Sequence, residues 1–121
     1  MSENIEIVLT EDYLLVTLSG AFSTAAAMKS VDALKEVCGK AGSCTKVLFD
    51  LRVMTGEMPI FDKYKIGQYG AELLPGTIRI AMLGREDQIA PDKFFENVAV
   101  NRGLTLKVFT DKQEALAWLK G

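Results

Sequence analysis

A chain of 121 residues that is 49% apolar and 25% charged has the make-up of one folded domain. A chain of that length buries roughly two-thirds of the surface its unfolded state exposes, and the composition is far from the charge-rich, apolar-poor range of disorder. Its 14 basic and 16 acidic residues are interspersed to a formal charge of -2, which leaves no basic stripe for nucleic acid and, with no apolar run near the ~18 residues of a membrane span, no spanning segment. The opening stretch MSENIEIVLTED is acidic and polar where a signal peptide is basic and then apolar, so a cytoplasmic protein is expected.

Residues 5–9, IEIVL, and 13–18, YLLVTL, are β-rich runs separated by a loop short enough for a hairpin. After SGAFS, Ser23 or Thr24 can cap a helix in which Ala27, Val31, Leu34 and Cys38 recur on one face, ending near Gly39 or Gly42. KVLFDL, stopping on Asp50, and TIRIAML at 77–83 are nearly continuous apolar runs that suit central strands covered on both faces. The helical stretch between them is long enough for a crossover that makes those strands parallel.

Pro91 and Gly103 frame a third helix with Phe94, Phe95, Val98 and Ala99 on one side, and Leu104 is placed to pack back on its end. LTLKVF alternates as a half-exposed edge strand does. Thr110 and Gln113 then fit a Ser/Thr-x-x-Glu/Gln capping box that opens a last helix burying Leu116 and Leu119. The order β-β-α-β-α-β-α-β-α predicts an α/β domain over residues 1–121, with a mixed sheet opened by an N-terminal hairpin, parallel central strands and about four helices.

The chain contains no histidine, which removes Ser-His and Cys-His nucleophile pairs and leaves carboxylate, lysine or tyrosine chemistry. Cys38 and Cys44 flank GKAGS, a spacing that fits neither a CxxC redox motif nor paired zinc ligands, so two reduced structural thiols and no metal site are expected. No GxGxxG and no GxxxxGK motif is present, and neither a catalytic residue nor a cofactor is predicted.

Asp50 ends a central strand, where α/β sheets commonly place ligands. A receiver-type phosphoacceptor role fails on the remaining residues: TED leads into a strand, and VFTD has no lysine. The simpler reading has Asp50 accept hydrogen bonds from turn amides or pair with Arg52. Arg85, Glu86 and Asp87, in REDQ after RIAML, lie near the same sheet end and read as a solvated loop.

KVLFDLR, RIAML, FFENVAVNRG and VFTDKQEALAWL together resemble the SpoIIAA-like members of the STAS superfamily over nearly the whole chain. The resemblance implies a small cytoplasmic α/β domain used for binding or regulation, without catalysis. In the regulatory antagonists of that family, a serine in an Asp-Ser-Ser-Gly-type turn after the strand matching KVLFDL is phosphorylated to stop partner binding. Here VMTGEMP, 53–59, has no serine, and the nearest hydroxyl is Thr55 before Gly56. Thr-Gly is an ordinary turn pair as well as a displaced switch, so the usual phosphoserine switch is expected to be missing.

At about 100° per residue, the helix after that turn places Ile60, Tyr64, Gly67, Ala71 and Leu74 on one side and Met58, Ile66, Tyr69 and Leu73 nearly opposite. One side can face the sheet, and the other needs cover from a second copy, a protein partner or a lipid-like ligand, unless the helix breaks at Gly67 and buries both. A partner or ligand surface is therefore predicted at Met58, Phe61, Tyr64, Ile66, Tyr69 and Leu73, with Asp50 and Thr55 at the adjoining turn. The expected occupant is a protein partner or the chain itself, as a homodimer. The alternative is an apolar small molecule, suggested by the fold kinship of some SpoIIAA-like sequences with CRAL-TRIO lipid-transfer domains, in a pocket lined by Met58, Phe61, Tyr64 and Tyr69.

Overall fold

The computed structural model describes residues 4–10, 12–41, 45–56, 59–74, 76–89 and 94–121. The two opening β-rich runs form β1 (Asn4–Leu9) and β2 (Leu14–Ala21), an antiparallel hairpin. Thr10 closes it: its N–H donates to the Tyr13 carbonyl at 2.9 Å and its hydroxyl to the same oxygen at 2.7 Å. Helix α1 (Thr24–Ala41) is capped by Ser23, whose Oγ accepts from the Ala26 N–H at 2.9 Å. Its expected face is inward, with Ala27, Val31 and Leu34 buried and Cys38 packed against the core. Cys38 is disulfide-bonded, which overturns the expected reduced thiols; Cys44 lies outside the described residues.

Strand β3 (Lys46–Thr55) runs parallel to β2, α2 (Ile60–Leu73) crosses over, and β4 (Arg79–Leu83) pairs parallel with β3. A four-residue helix, α3 (Glu86–Ile89), precedes α4 (Phe94–Asn101), then β5 (Thr105–Phe109) and α5 (Lys112–Lys120) follow. The short α3 interrupts the expected alternation; Pro91 and the side chains of Phe94, Phe95 and Ala99 lie outside the description. The last helix is capped by Asp111, one residue later than expected: its carboxylate accepts from the Gln113 N–H at 3.2 Å, the geometry that Thr110 was predicted to supply.

The strands lie in chain order, β1-β2-β3-β4-β5, so β1 and β5 are the edges. Side-chain alternation divides the core into two layers. Leu14, Val16, Leu18, Val47, Phe49, Ile80, Leu106 and Val108 face α1 and α2, and α2 packs in turn on α4. On the other face Leu48, Ala81 and Leu83 pack against Ala115 and Leu119 of α5, with Leu116 only partly buried. Each fully buried aliphatic side chain removed from water contributes about 1.5–3 kcal/mol.

One turn leads the chain from α4 back into the sheet at β5. Gly103, at φ +106°, ends α4, and its N–H donates to the Val100 carbonyl at 3.0 Å, the left-handed exit that glycine adopts without a Cβ penalty. Leu104 then turns inward at 5% exposure, as the sequence pattern implied.

Candidate functional site

The apolar run through Leu48 and Phe49 does not end at Asp50. Asp50 is the last β3 residue paired with β4, opposite Leu83, but β3 continues five residues to Thr55 with only β2 beside it. The overhanging edge is closed by a side chain. Arg85, just past β4, donates from one guanidinium nitrogen to the Met54 carbonyl at 3.0 Å and to the Arg52 carbonyl, and pairs with Asp87 at 3.1 Å. Arg85 is therefore a strut replacing the missing part of β4 rather than a residue of a solvated loop.

Asp50 accepts from Arg52 three times: from the amide at 3.1 Å, from Nε at 3.0 Å and from a terminal nitrogen at 2.9 Å. Residues two apart on a strand share a face, so the pair forms within one strand as expected. Burial raises the Asp50 pKa, but the Arg52 hydrogen bonds and charge, with Lys112 adding to them, outweigh burial and hold the carboxyl below its ordinary value. A group depressed in the folded state stabilises the fold above its unfolded pKa and loses that contribution as pH falls through the folded one. Asp50→Asn is thus expected to flatten the fall in stability below about pH 4 and to change neutral-pH stability by at most about 1 kcal/mol, since Arg52 is substantially exposed. Urea midpoints of both chains across the acid range measure this; parallel curves would show that Asp50 carries no acid sensitivity.

Thr55 ends the overhang. Its side chain is exposed, its carbonyl accepts from the Phe22 N–H at 2.8 Å, and Gly56 follows at φ +85°. The Thr-Gly pair serves as a turn here, with glycine taking the left-handed position. Met58 lies outside the described residues.

Helix α2 is continuous through Gly67 and Gly70, so it does not break to bury two stripes. Three of its sides are occupied instead: Ile66, Gly67, Gly70 and Leu74 are buried, α1 packs along one flank and α4 along the other. Ile66, at 5% exposure, is inside and not at a surface. Tyr69 and Leu73 are half-buried against the core. The Tyr69 hydroxyl donates to Asp32 of α1 at 2.5 Å, and this bond raises the phenol pKa. Tyr64 is 38% exposed, with its ring under the Arg102 guanidinium at 5.1 Å and its hydroxyl accepting from the same group. Phe61 projects outward at 70% exposure, touched by Lys65 at 5.3 Å from the ring centre. Of the predicted surface residues that are described, Phe61 and Tyr64 are exposed, Tyr69 and Leu73 are half-buried and Ile66 is inside.

Beneath α2 lies an apolar cavity of about 60 Å³ lined by Val31, Phe49, Met54, Ile66, Leu74 and Leu106 among others, with Ser30 at its wall. Ser30 is buried, and its hydroxyl donates to the Ala27 carbonyl at 2.6 Å. The cavity stands under the predicted helix but with a different lining. Phe61, Tyr64 and Tyr69 are not part of it, because the positions turned toward the sheet are Ile66 and Gly70 of α2 and Leu74 just after it. Among the described residues, no group of three or more Cys, Asp or Glu side chains is placed to hold a metal, and no helix is long and apolar enough to cross a membrane.

The fold is similar to that of an anti-sigma factor antagonist from Mycobacterium paratuberculosis, with a TM-score of 0.64 and 16% identity over 99% of this chain and 96% of the other. It is also similar to a protein of Shewanella loihica PV-4 with a SpoIIAA-like fold, at a TM-score of 0.58 and 22% identity over 98% and 94% of the two chains. No curated protein matches the sequence. The SpoIIAA-like family profile matches residues 13–120, from the second strand through the last helix, and the chain belongs to that family.

Proposed function

We propose that the chain is a non-enzymatic regulatory domain that works by binding a protein, through the outer side of α2. The observation that carries this reading is Phe61: a large aromatic ring 70% exposed near the start of α2, with Tyr64 one turn further on. Exposed aromatics of this kind are the residues that dominate protein recognition when a partner covers them. The printed identity of the Mycobacterium paratuberculosis neighbour, an anti-sigma factor antagonist, supports a partner of the same general kind, a regulatory protein. The stretch VMTGEMP offers no serine, so binding here runs without the phosphoserine gate of the regulatory antagonists.

The test compares wild-type and Phe61→Glu chains as immobilised bait, followed by affinity measurement with the purified captured protein. Phe61→Glu is expected to weaken binding by about 30-fold or more, the scale of a central aromatic anchor, with an unchanged far-UV spectrum. Equal affinity for both baits would remove this side of α2 as the binding surface.

The second reading, a carrier of an apolar small molecule, draws on the cavity under α2. At about 60 Å³ it is well below the roughly 300–1,000 Å³ of ordinary ligand pockets, and it accommodates only a small apolar molecule without movement of α2. Native mass spectrometry of freshly purified protein separates the readings: retained non-covalent mass supports the carrier, and bare chains support the protein-binding domain.

A further inference from the structure

The two edges of the sheet are finished differently. On β5, the Phe109 carbonyl faces β4 and accepts from the Gly84 N–H at 3.0 Å, which turns the neighbouring Val108 amide outward, where Glu96 of α4 accepts from it at 2.9 Å. A carboxylate on an outward amide blocks the approach of another strand.

At the other end of the sheet, β1 carries no such device among the described residues. The Thr10 N–H bonds to Tyr13, so the alternation of the antiparallel ladder turns Glu6 and Val8 toward β2 and sends the N–H and C=O groups of Ile5, Ile7 and Leu9 outward. The side chains at this edge are apolar and accessible: Val8 is 47% and Leu9 66% exposed. Asn4–Leu9 contains neither lysine nor proline, the usual edge guards, and its one charge is Glu6.

We propose that β1 is a self-pairing edge: two copies of the chain join β1 to β1 antiparallel, making one continuous ten-stranded sheet. The strand is complementary to itself in a single register. With the two-fold axis at Ile7, Ile7 faces Ile7 of the second copy, and Ile5 faces its Leu9 twice over, which satisfies all three outward residues of each strand. Glu6 then stands opposite Val8. Moving the axis to residue 6 would oppose the two Glu6 carboxylates at the closest cross-strand spacing, and moving it to residue 8 leaves Ile5 unpaired within the strand. In the favoured register Ile5, Ile7 and Leu9 lie on the α1/α2 face. Exposed Leu9 is then laid beside Ile5 of the second copy, which already packs against that copy's core. This interface is separate from the α2 surface around Phe61 and goes beyond the reading given above.

Sedimentation equilibrium over a wide concentration range, joined to amide hydrogen exchange, decides it. Wild type is expected to dimerise, with exchange at Ile5, Ile7 and Leu9 slowing as dimer forms. Leu9→Pro removes an outward donor without touching the β2 ladder, and is expected to weaken dimerisation by about tenfold or more, through the two symmetry-related hydrogen bonds lost. Phe61→Glu is expected to dimerise as wild type does. Should Leu9→Pro not fold, Leu9→Lys gives the same readout with the amide intact, by placing a charge beside the partner's Ile5. A chain that stays monomeric, a dimer in which those three amides exchange freely, or a folded Leu9 variant that dimerises like wild type overturns the proposal.

Discussion

Leu119→Ala is expected to lower stability by about 2–5 kcal/mol, the range for deleting a buried leucine side chain and leaving its cavity. Leu119 is 2% exposed and packs, with Ala115, over Leu48, Ala81 and Leu83 of the two central strands. Among the described residues α5 is the one long helix on that face, so no second helix can shift to fill the gap. A loss of this size is a large share of the about 5–15 kcal/mol that holds a domain together. Urea unfolding followed by far-UV CD measures it. Trp118, the single tryptophan, is a second probe, since its ring stacks under the Arg79 guanidinium at 4.4 Å and tilts against Phe109 at 5.8 Å. A loss below about 1 kcal/mol would mean that α5 contributes surface cover and not core packing. Leu116→Ala, at a half-buried position of the same helix, is expected to cost visibly less.

Gly76→Ala is expected to destabilise the chain by about 1–3 kcal/mol, although Gly76 is exposed and alanine ordinarily restricts the unfolded state in its favour. A Cβ at this position would stand 2.6 Å from the Gly103 carbonyl oxygen, which is backbone and cannot swing aside. The α2–β4 turn and the α4–β5 turn meet there glycine to glycine, further tied by the Thr105 hydroxyl donating to the Gly76 carbonyl at 2.7 Å. Gly70→Ala supplies the opposite sign. Its Cβ would meet the flexible tip of Leu104 at an ordinary 3.5 Å, and the helix interior gains about 0.5–1 kcal/mol from the substitution. Thermal midpoints of the two single variants are expected to move apart from wild type in opposite directions. Movement of both the same way would show that propensity or packing alone rules both sites.

What the sequence made legible follows the range of the interactions. The hairpin, the inward face of α1 and the Asp50–Arg52 pair rest on neighbours a few residues apart, the parallel central pair and the β5 edge rest on the apolar pattern within each strand, and each is present. The capping residue of α5 was displaced by one because Thr110 and Asp111 are both good caps, and backbone torsions choose between them. The Arg85 strut was not legible: it depends on β3 outrunning β4 by five residues, and strand length gives no sign of which neighbour stops first. The same holds for α2. Periodicity identified two apolar sides, but only the packed arrangement reveals that α1 and α4 occupy its flanks, so that Ile66 goes inward and Phe61 is left outside. For Cys38, spacing alone points to a reduced thiol, whereas the residue is disulfide-bonded.

The unequal layering of the sheet also fixes an order of assembly. Because the strands lie side by side in the order in which they are made, each new strand joins the edge left by its predecessor, and the face under α1, α2 and α4 closes progressively as synthesis proceeds. The opposite face has no such schedule. Leu48, Ala81 and Leu83 stay in water until Ala115 and Leu119 arrive with α5, so a nascent chain that has reached Phe109 carries a finished sheet with one bare apolar side, and that interval is when it is most prone to stick to other chains or to need a chaperone.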